Sequence, residues 1–200
     1  MFEQYDAIIF DMDGTLVDSG QLHEIAWRKT LIKYEIPIDK ALMRSLAGVP
    51  TMNTIDILIK HFGVPRLATN QAMNHYKESV VNDIARDHVK PTALEKTARK
   101  YFGQKPMSVG TGAYTQEAES ILSWCGLREF IGPVVGADQV SNPKPAPDTF
   151  LRCAELMGIA PERCVVLEDS KTGLEAARQA GIDGVDVLEA FGIRNNYFLE

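Results

Sequence analysis

Short apolar runs at Tyr5–Phe10, Met107–Thr111, Val134–Gly136, Cys164–Leu167 and Gly184–Leu188 constrain this chain more than any other feature. Four to eight apolar residues bounded by turn-forming or acidic residues read as strands buried on both faces. From Met107 onward the runs alternate with segments whose apolar residues recur at helical spacing: one carries Ala118, Ile121, Leu122 and Cys125, another spans about 148–157, and a third about 172–180. Strands and amphipathic helices in alternation predict an α/β fold, a doubly wound parallel sheet with helices on both faces. In such sheets ligands bind at the carboxyl ends of the strands.

Between the first run and the rest lies a stretch of different character. From Ser19 to about Arg86 the spacing is helical throughout, with Leu22, Ile25 and Ala26 in one segment and Ile55, Leu58, Ile59 and Phe62 in another. Turn signals at Ile36-Pro37, Gly48-Val49-Pro50 and Gly63-Val64-Pro65 divide it into three or four helices, each too short to be stable unless packed. The expected organisation is therefore a helical-bundle cap at 17–89 inserted into a core made of 1–16 and 90–200. The tail from Glu189 to Glu200 carries no motif.

Composition narrows the functional classes. A hydrophobic content of 45% and a charged content of 24% are ordinary for a soluble globular chain, and no apolar run approaches the length of a membrane span. Glu3 and Asp6 interrupt any signal-like amino terminus, so the expected location is the cytoplasm. A net charge of −6 argues against a nucleic-acid surface, which needs clustered Lys and Arg. A small anionic metabolite remains a suitable partner if cations are placed locally, and nothing calls for an obligate protein partner, so a monomer or weak homo-oligomer is expected. Cys125, Cys153 and Cys164 are odd in number, without CxxC spacing, and read as reduced core thiols.

The chemistry collects at the predicted strand ends. The first run delivers Asp11 and Asp13, within Asp11-Met12-Asp13-Gly14-Thr15, to its carboxyl end. An ordinary strand-ending turn would use the same residue types. An Asp, however, suits nucleophilic attack on phosphorus, because the aspartyl phosphate splits one hard displacement into two easier ones. A second Asp beside it suits proton transfer. The run Cys164–Leu167 ends in Glu168-Asp169-Ser170, so the same sheet edge is acidic twice. Two acidic strand ends repel unless a cation lies between them, and hard carboxylate oxygens favour Mg2+. Asp169 or Ser170 also fits a helix N-cap, and both roles are compatible. Thr111-Gly112-Ala113, expected to open a helix, offers a hydroxyl and backbone N–H groups to a phosphate. Lys144, stiffened by Pro143 and Pro145, suits a phosphate anchor.

These four clusters, in this order, resemble the haloacid dehalogenase-like (HAD) superfamily of phosphatases and mutases over the whole chain. The resemblance implies that Asp11 is the nucleophile, Asp13 the general acid and base, Thr111, Gly112 and Lys144 the phosphate binders, and Asp169 a Mg2+ ligand supported by Glu168. It further implies Mg2+ contacts from the Asp11 carboxylate and the Asp13 main-chain carbonyl, and a cap inserted after the first motif. Within the family the chain is similar to the β-phosphoglucomutase-like branch, and in particular to bacterial fructose-1-phosphate phosphatases. Residues His23 and Trp27, Gly48-Val49-Pro50-Thr51, Val109-Gly110-Thr111-Gly112 and Lys144-Pro145-Ala146-Pro147-Asp148-Thr149-Phe150 carry that likeness. The mutases hold a distal phosphate with a basic residue where this chain has Thr51, which points to a phosphatase acting on a small sugar or polyol phosphate. Asp13 argues against dehalogenation, whose enzymes lack the second Asp. His23 and Lys77 are candidate cap residues facing substrate. A phosphomutase and a non-catalytic phosphate-ligand sensor are the rival readings.

Overall fold

The computed structural model describes residues 1–199, which fall into two compact units. One comprises Met1–Asp18 and Val89–Asn195, and the other comprises Ser19–His88 together with the described residues from Asn196 on. The boundaries differ from the expected 17–89 and 90–200 at residues 17–18, at Val89 and after Asn195. Val17–Asp18 (β2) stays with the first unit because it pairs antiparallel with Lys90–Pro91 (β3), Val17 opposite Pro91 and Asp18 opposite Lys90. The described residues after Asn195 group with the helical unit rather than with the first.

The first unit is built on five parallel strands. They are Ala7–Phe10 (β1), Met107–Gly110 (β4), Val134–Val135 (β5), Cys164–Glu168 (β6) and Asp183–Asp186 (β7), in the order β5-β4-β1-β6-β7. β1 is central, with Phe10 opposite Val109 on one side and Leu167 on the other. Alternation along it divides the core in two, as strand pleating requires. Ile8 and Phe10 join Met107, Val109, Val165 and Leu167 in one apolar cluster. Ala7 and Ile9 join Val135, Cys164 and Val166 in the other.

The second unit consists of Gly20–Lys33 (α1), Lys40–Ser45 (α2), Thr51–Phe62 (α3) and Asn70–His88 (α4). Trp27, Leu31, Met43, Ile55, Leu58 and Met73 form its apolar centre. Local signals set its helix ends: the Asp39 carboxylate accepts from Leu42 N–H at 2.9 Å and caps α2, and Gly63 ends α3 in the left-handed region at φ 62°. Phe198 from the tail is fully buried in the same cluster. Its N–H donates to Glu24 Oε2 at 2.9 Å, and Arg44 donates to its carbonyl.

Five further helices cover the parallel sheet: Glu95–Tyr101 (α5), Thr115–Trp124 (α6), Asp148–Met157 (α7), Lys171–Gln179 (α8) and Val187–Phe191 (α9). Ala98, Tyr101, Ile121, Leu122 and Val187 cover one face, and Phe150, Cys153, Ala154, Ala176 and Ala177 cover the other. Helices on both faces leave the strand ends as the place for polar side chains. Among the described residues no helix is long and apolar enough to cross a membrane. Cys153 and Cys164 are buried and Cys125 half-buried, all three are free, and burial pushes the Cys153 thiol up to about 12.

Candidate active site

Two strand ends of the first unit and the loop that carries Lys144 converge on a charged cluster. Asp11 follows β1 directly, and its N–H donates to Leu167 O at 2.9 Å, so the sheet ladder itself fixes the backbone of the candidate nucleophile. Only 6% of the residue is exposed. Glu168 ends β6 and is 1% exposed. Lys144 reaches both: its Nζ donates to Asp11 Oδ1 at 2.7 Å and to Glu168 Oε2 at 2.9 Å. Charge-assisted bonds of this length between buried partners are short and strong. Lys144, expected as a phosphate anchor, is the internal counter-ion of two buried carboxylates.

Glu168 is held on both oxygens. Besides Lys144, it accepts from Ser170 N–H at 3.0 Å and Ser170 Oγ at 2.8 Å through Oε1. Ser170 in turn caps α8, its Oγ accepting from Gly173 N–H at 3.0 Å. Ser170 is thus the N-cap of α8 while also holding the Glu168 carboxylate. Asp169 stands beside them half-buried, its Oδ1 facing Thr15 Oγ1 at 3.4 Å and its Oδ2 accepting from Asn195 Nδ2 at 2.8 Å.

Asp11, Glu168 and Asp169 each present a carboxylate oxygen, and these oxygens lie within 4.8 Å of one another. One ammonium cannot neutralise three carboxylates, and the donors are hard oxygens of the kind that hold a small divalent cation. The donor set therefore fits a metal ion. Burial first, then the Glu168 charge, push Asp11 well above the ordinary carboxylate range against the pull of Lys144. The same causes raise Asp169 to about 7, opposed by the Asn195 bond. For Lys144, burial acts to lower the pKa, but Asp11 and Glu168 outweigh it and hold the ammonium strongly protonated.

These shifts give a testable pH dependence of the metal-free protein. Asp11 and Asp169 bind protons more tightly folded than unfolded, so their contribution to stability is complete below about pH 3.8; that of Asp169 is lost as pH rises through about 7, and that of Asp11 as pH rises well above the ordinary carboxylate range. Thermal unfolding in a chelator is expected to give a lower midpoint at pH 8 than at pH 6, and added Mg2+ is expected to reduce that difference. A midpoint that rises from pH 6 to pH 8 in chelator would contradict this electrostatic account.

The remaining candidates are placed as follows. Asp13 lies half-buried in the turn after β1, where its backbone bridges to Val17. Thr111 follows β4, is 2% exposed, and accepts from Ala113 N–H at 3.1 Å; a hydroxyl that accepts there keeps its proton to donate. Gly112 is exposed in the same turn. The helix expected to open at Thr111 begins instead at Thr115, whose N–H is taken by Asp138 Oδ1 at 2.8 Å, so Thr111 lies in a connecting turn. His23 and Lys77 belong to the helical unit, on α1 and α4. Lys77 is buried, its Nζ 5.4 Å from the centre of the Trp27 ring.

Sequence reasoning missed Asn195 and Gly173. An Asn without motif context gives no signal. Gly173 gave one in principle, since a glycine in a first helical turn disfavours the helix unless something needs its space.

A central acid after the middle strand of a doubly wound sheet, tied by lysine to a second acidic strand end, defines an α/β protein with a carboxylate-centred, metal-compatible site. The chain belongs to the haloacid dehalogenase-like hydrolases: that family's model matches residues 8–187. It is 41% identical to the fructose-1-phosphate phosphatase YqaB of Escherichia coli K12, over 94% of this chain and 98% of that protein. It is 31% identical to a phosphorylated carbohydrates phosphatase of Thermotoga maritima, over 90% and 83%. The crystal structure of β-phosphoglucomutase from Clostridium difficile superposes with a TM-score of 0.79 over 91% of this chain and 84% of that one, at 24% identity, a likeness of fold.

Proposed function

We propose that this enzyme is a Mg2+-dependent phosphatase that hydrolyses a small sugar or polyol phosphate, of the fructose-1-phosphate kind, through an aspartyl-phosphate intermediate. The observation that carries the reading is the buried Asp11–Lys144–Glu168 arrangement with Asp169 alongside, at the strand ends. The two phosphatase relatives support the substrate class.

An Asp11 carboxylate oxygen attacks the phosphorus in line, and the bond from phosphorus to the ester oxygen breaks. Asp13 protonates the departing alcohol, then takes a proton from the water that attacks the acyl phosphate, releasing phosphate and restoring Asp11. Thr111 and the Gly112 backbone bind phosphoryl oxygens. Lys144 fixes the Asp11 carboxylate and supplies positive charge to the same oxygens. Asp11, the Asp13 main-chain carbonyl and Asp169 would hold Mg2+, with Glu168 in support. When bound, Mg2+ offsets charge on the phosphoryl group and orients it. His23 and Lys77 are the cap residues assigned to substrate discrimination.

The test is phosphate release from a panel of phosphorylated metabolites, with and without Mg2+, alongside isomer analysis of the sugar phosphates. Turnover of hexose and polyol phosphates that stops in chelator is expected. Isomer interconversion faster than phosphate release would make the enzyme a mutase, and no turnover on any substrate would favour a ligand sensor.

A further inference from the structure

The carboxyl-terminal tail, silent in sequence, ends in two well-made attachments. In the first unit Asn195 Nδ2 donates to Asp169 Oδ2 at 2.8 Å. In the second, three residues on, Phe198 is buried without residual exposure, its N–H and carbonyl bonded to Glu24 and Arg44. On the other side of Asn195 the chain is pinned by Ile193 N–H donating to Val187 O at 3.2 Å. A side chain whose backbone is pinned two residues away loses less further freedom on making its bond, so the bond is an efficient constraint.

Gly14 shows how closely that bond is packed. This residue of the first motif has φ +84°, and a Cβ there would lie 2.4 Å from Asn195 Nδ2 and 2.4 Å from Asp169 Oδ2. Residue 14 is thus restricted to glycine twice over, by its backbone and by the Asn195–Asp169 pair.

We propose that Asn195 is a positioning residue that orients the Asp169 carboxylate for the metal, which makes the tail part of the hydrolytic site. The chemistry of the amide favours this role. One N–H occupies one lone pair of Oδ2 and Thr15 Oγ1 faces Oδ1 at 3.4 Å, so acceptor sites on both oxygens remain for a cation. A neutral donor also fixes the carboxylate without cancelling the negative charge that attracts the ion, as a Lys or Arg would. Partners of this kind behind metal-binding carboxylates commonly change metal affinity by about 10–100-fold.

The inference rests on the Mg2+ reading above, and the experiment separates the two. Mn2+, the probe for the site, is titrated into full-length wild type and Asn195→Leu, with free Mn2+ read by electron paramagnetic resonance and Mg2+ as competitor. Asn195→Leu is expected to bind Mn2+ about 10–100-fold more weakly and to raise the half-saturating Mg2+ for phosphate release by a similar factor, with activity recovering at high Mg2+. Purely structural support would instead lower the unfolding temperature and leave Mn2+ affinity in place. Affinity within twofold of wild type overturns the proposal, whereas a wild type that binds no Mn2+ overturns the metal reading itself. Should Asn195→Leu fail to fold, the side-chain amide of Asn195 in 15N-labelled wild type decides: it is expected to shift as Mg2+ saturates the site, and an unmoved signal at saturation refutes the role.

Discussion

Asp11→Asn is expected to lose phosphate release by roughly four to six orders of magnitude, the scale on which removal of a covalent nucleophile is felt in other hydrolases. The variant should nonetheless fold. Asp11 is 6% exposed, and its charge is disfavoured by burial and by Glu168. An asparagine of the same shape keeps an oxygen that can accept from Lys144 and removes one of three crowded carboxylates. In the metal-free state, the thermal midpoint of Asp11→Asn at pH 8 is expected to equal or exceed that of wild type. The loss would then lie in chemistry, which a second readout can locate. Wild type quenched during turnover should carry a hydroxylamine-labile phosphate on Asp11, and the variant none. Full activity in Asp11→Asn would refute the nucleophile assignment and return the cluster to the status of a ligand-binding site.

The parallel sheet was legible because its four strands other than β7 are buried, largely apolar runs with helical spacing between; β7, Asp183-Gly184-Val185-Asp186, is partly exposed and only overlaps the run expected at Gly184–Leu188. The acidic strand ends were legible for a related reason: Asp11 and Glu168 interrupt apolar runs where burial would otherwise favour an apolar residue. Other parts depend on contacts remote in sequence. The antiparallel β2–β3 pair joins residues more than seventy positions apart, and two residues per strand leave no periodicity to read. The dual engagement of Lys144 joins it to Asp11 and Glu168, 133 and 24 residues away. The tail is the clearest case. Ile193-Arg194-Asn195-Asn196-Tyr197-Phe198 has neither helical nor alternating spacing, and its two aromatic residues alone do not say which core they enter. Phe198 is a core residue by virtue of a cavity formed by α1 to α4, and that is information the tail does not contain.

Gly173→Ala offers the sharpest test of how the site is built, because two physical arguments give opposite signs. Gly173 lies within the first turn of α8, where replacing glycine by alanine in a helix ordinarily stabilises by up to about 1 kcal/mol. Here the added methyl carbon would lie 1.9 Å from Glu168 Oε2 and 2.0 Å from its carboxyl carbon, far inside contact distance. Glu168 is 1% exposed and bonded through both oxygens, so it cannot swing aside without giving up Lys144 or Ser170. Overpacking a core typically costs about 1–3 kcal/mol. Uncoupling a buried ion pair costs about 3–5 kcal/mol, so a net destabilisation of roughly 2–5 kcal/mol is expected, with the helix gain submerged. Denaturant unfolding of the metal-free protein measures it, and a variant as stable as wild type would mean that Glu168 is not fixed as described. Shortening the acid should relieve the clash: in a Gly173→Ala, Glu168→Asp double variant the two changes are expected to cost less together than the sum of their separate costs. Strict additivity would show that the methyl group and the Glu168 carboxylate do not compete for the same space.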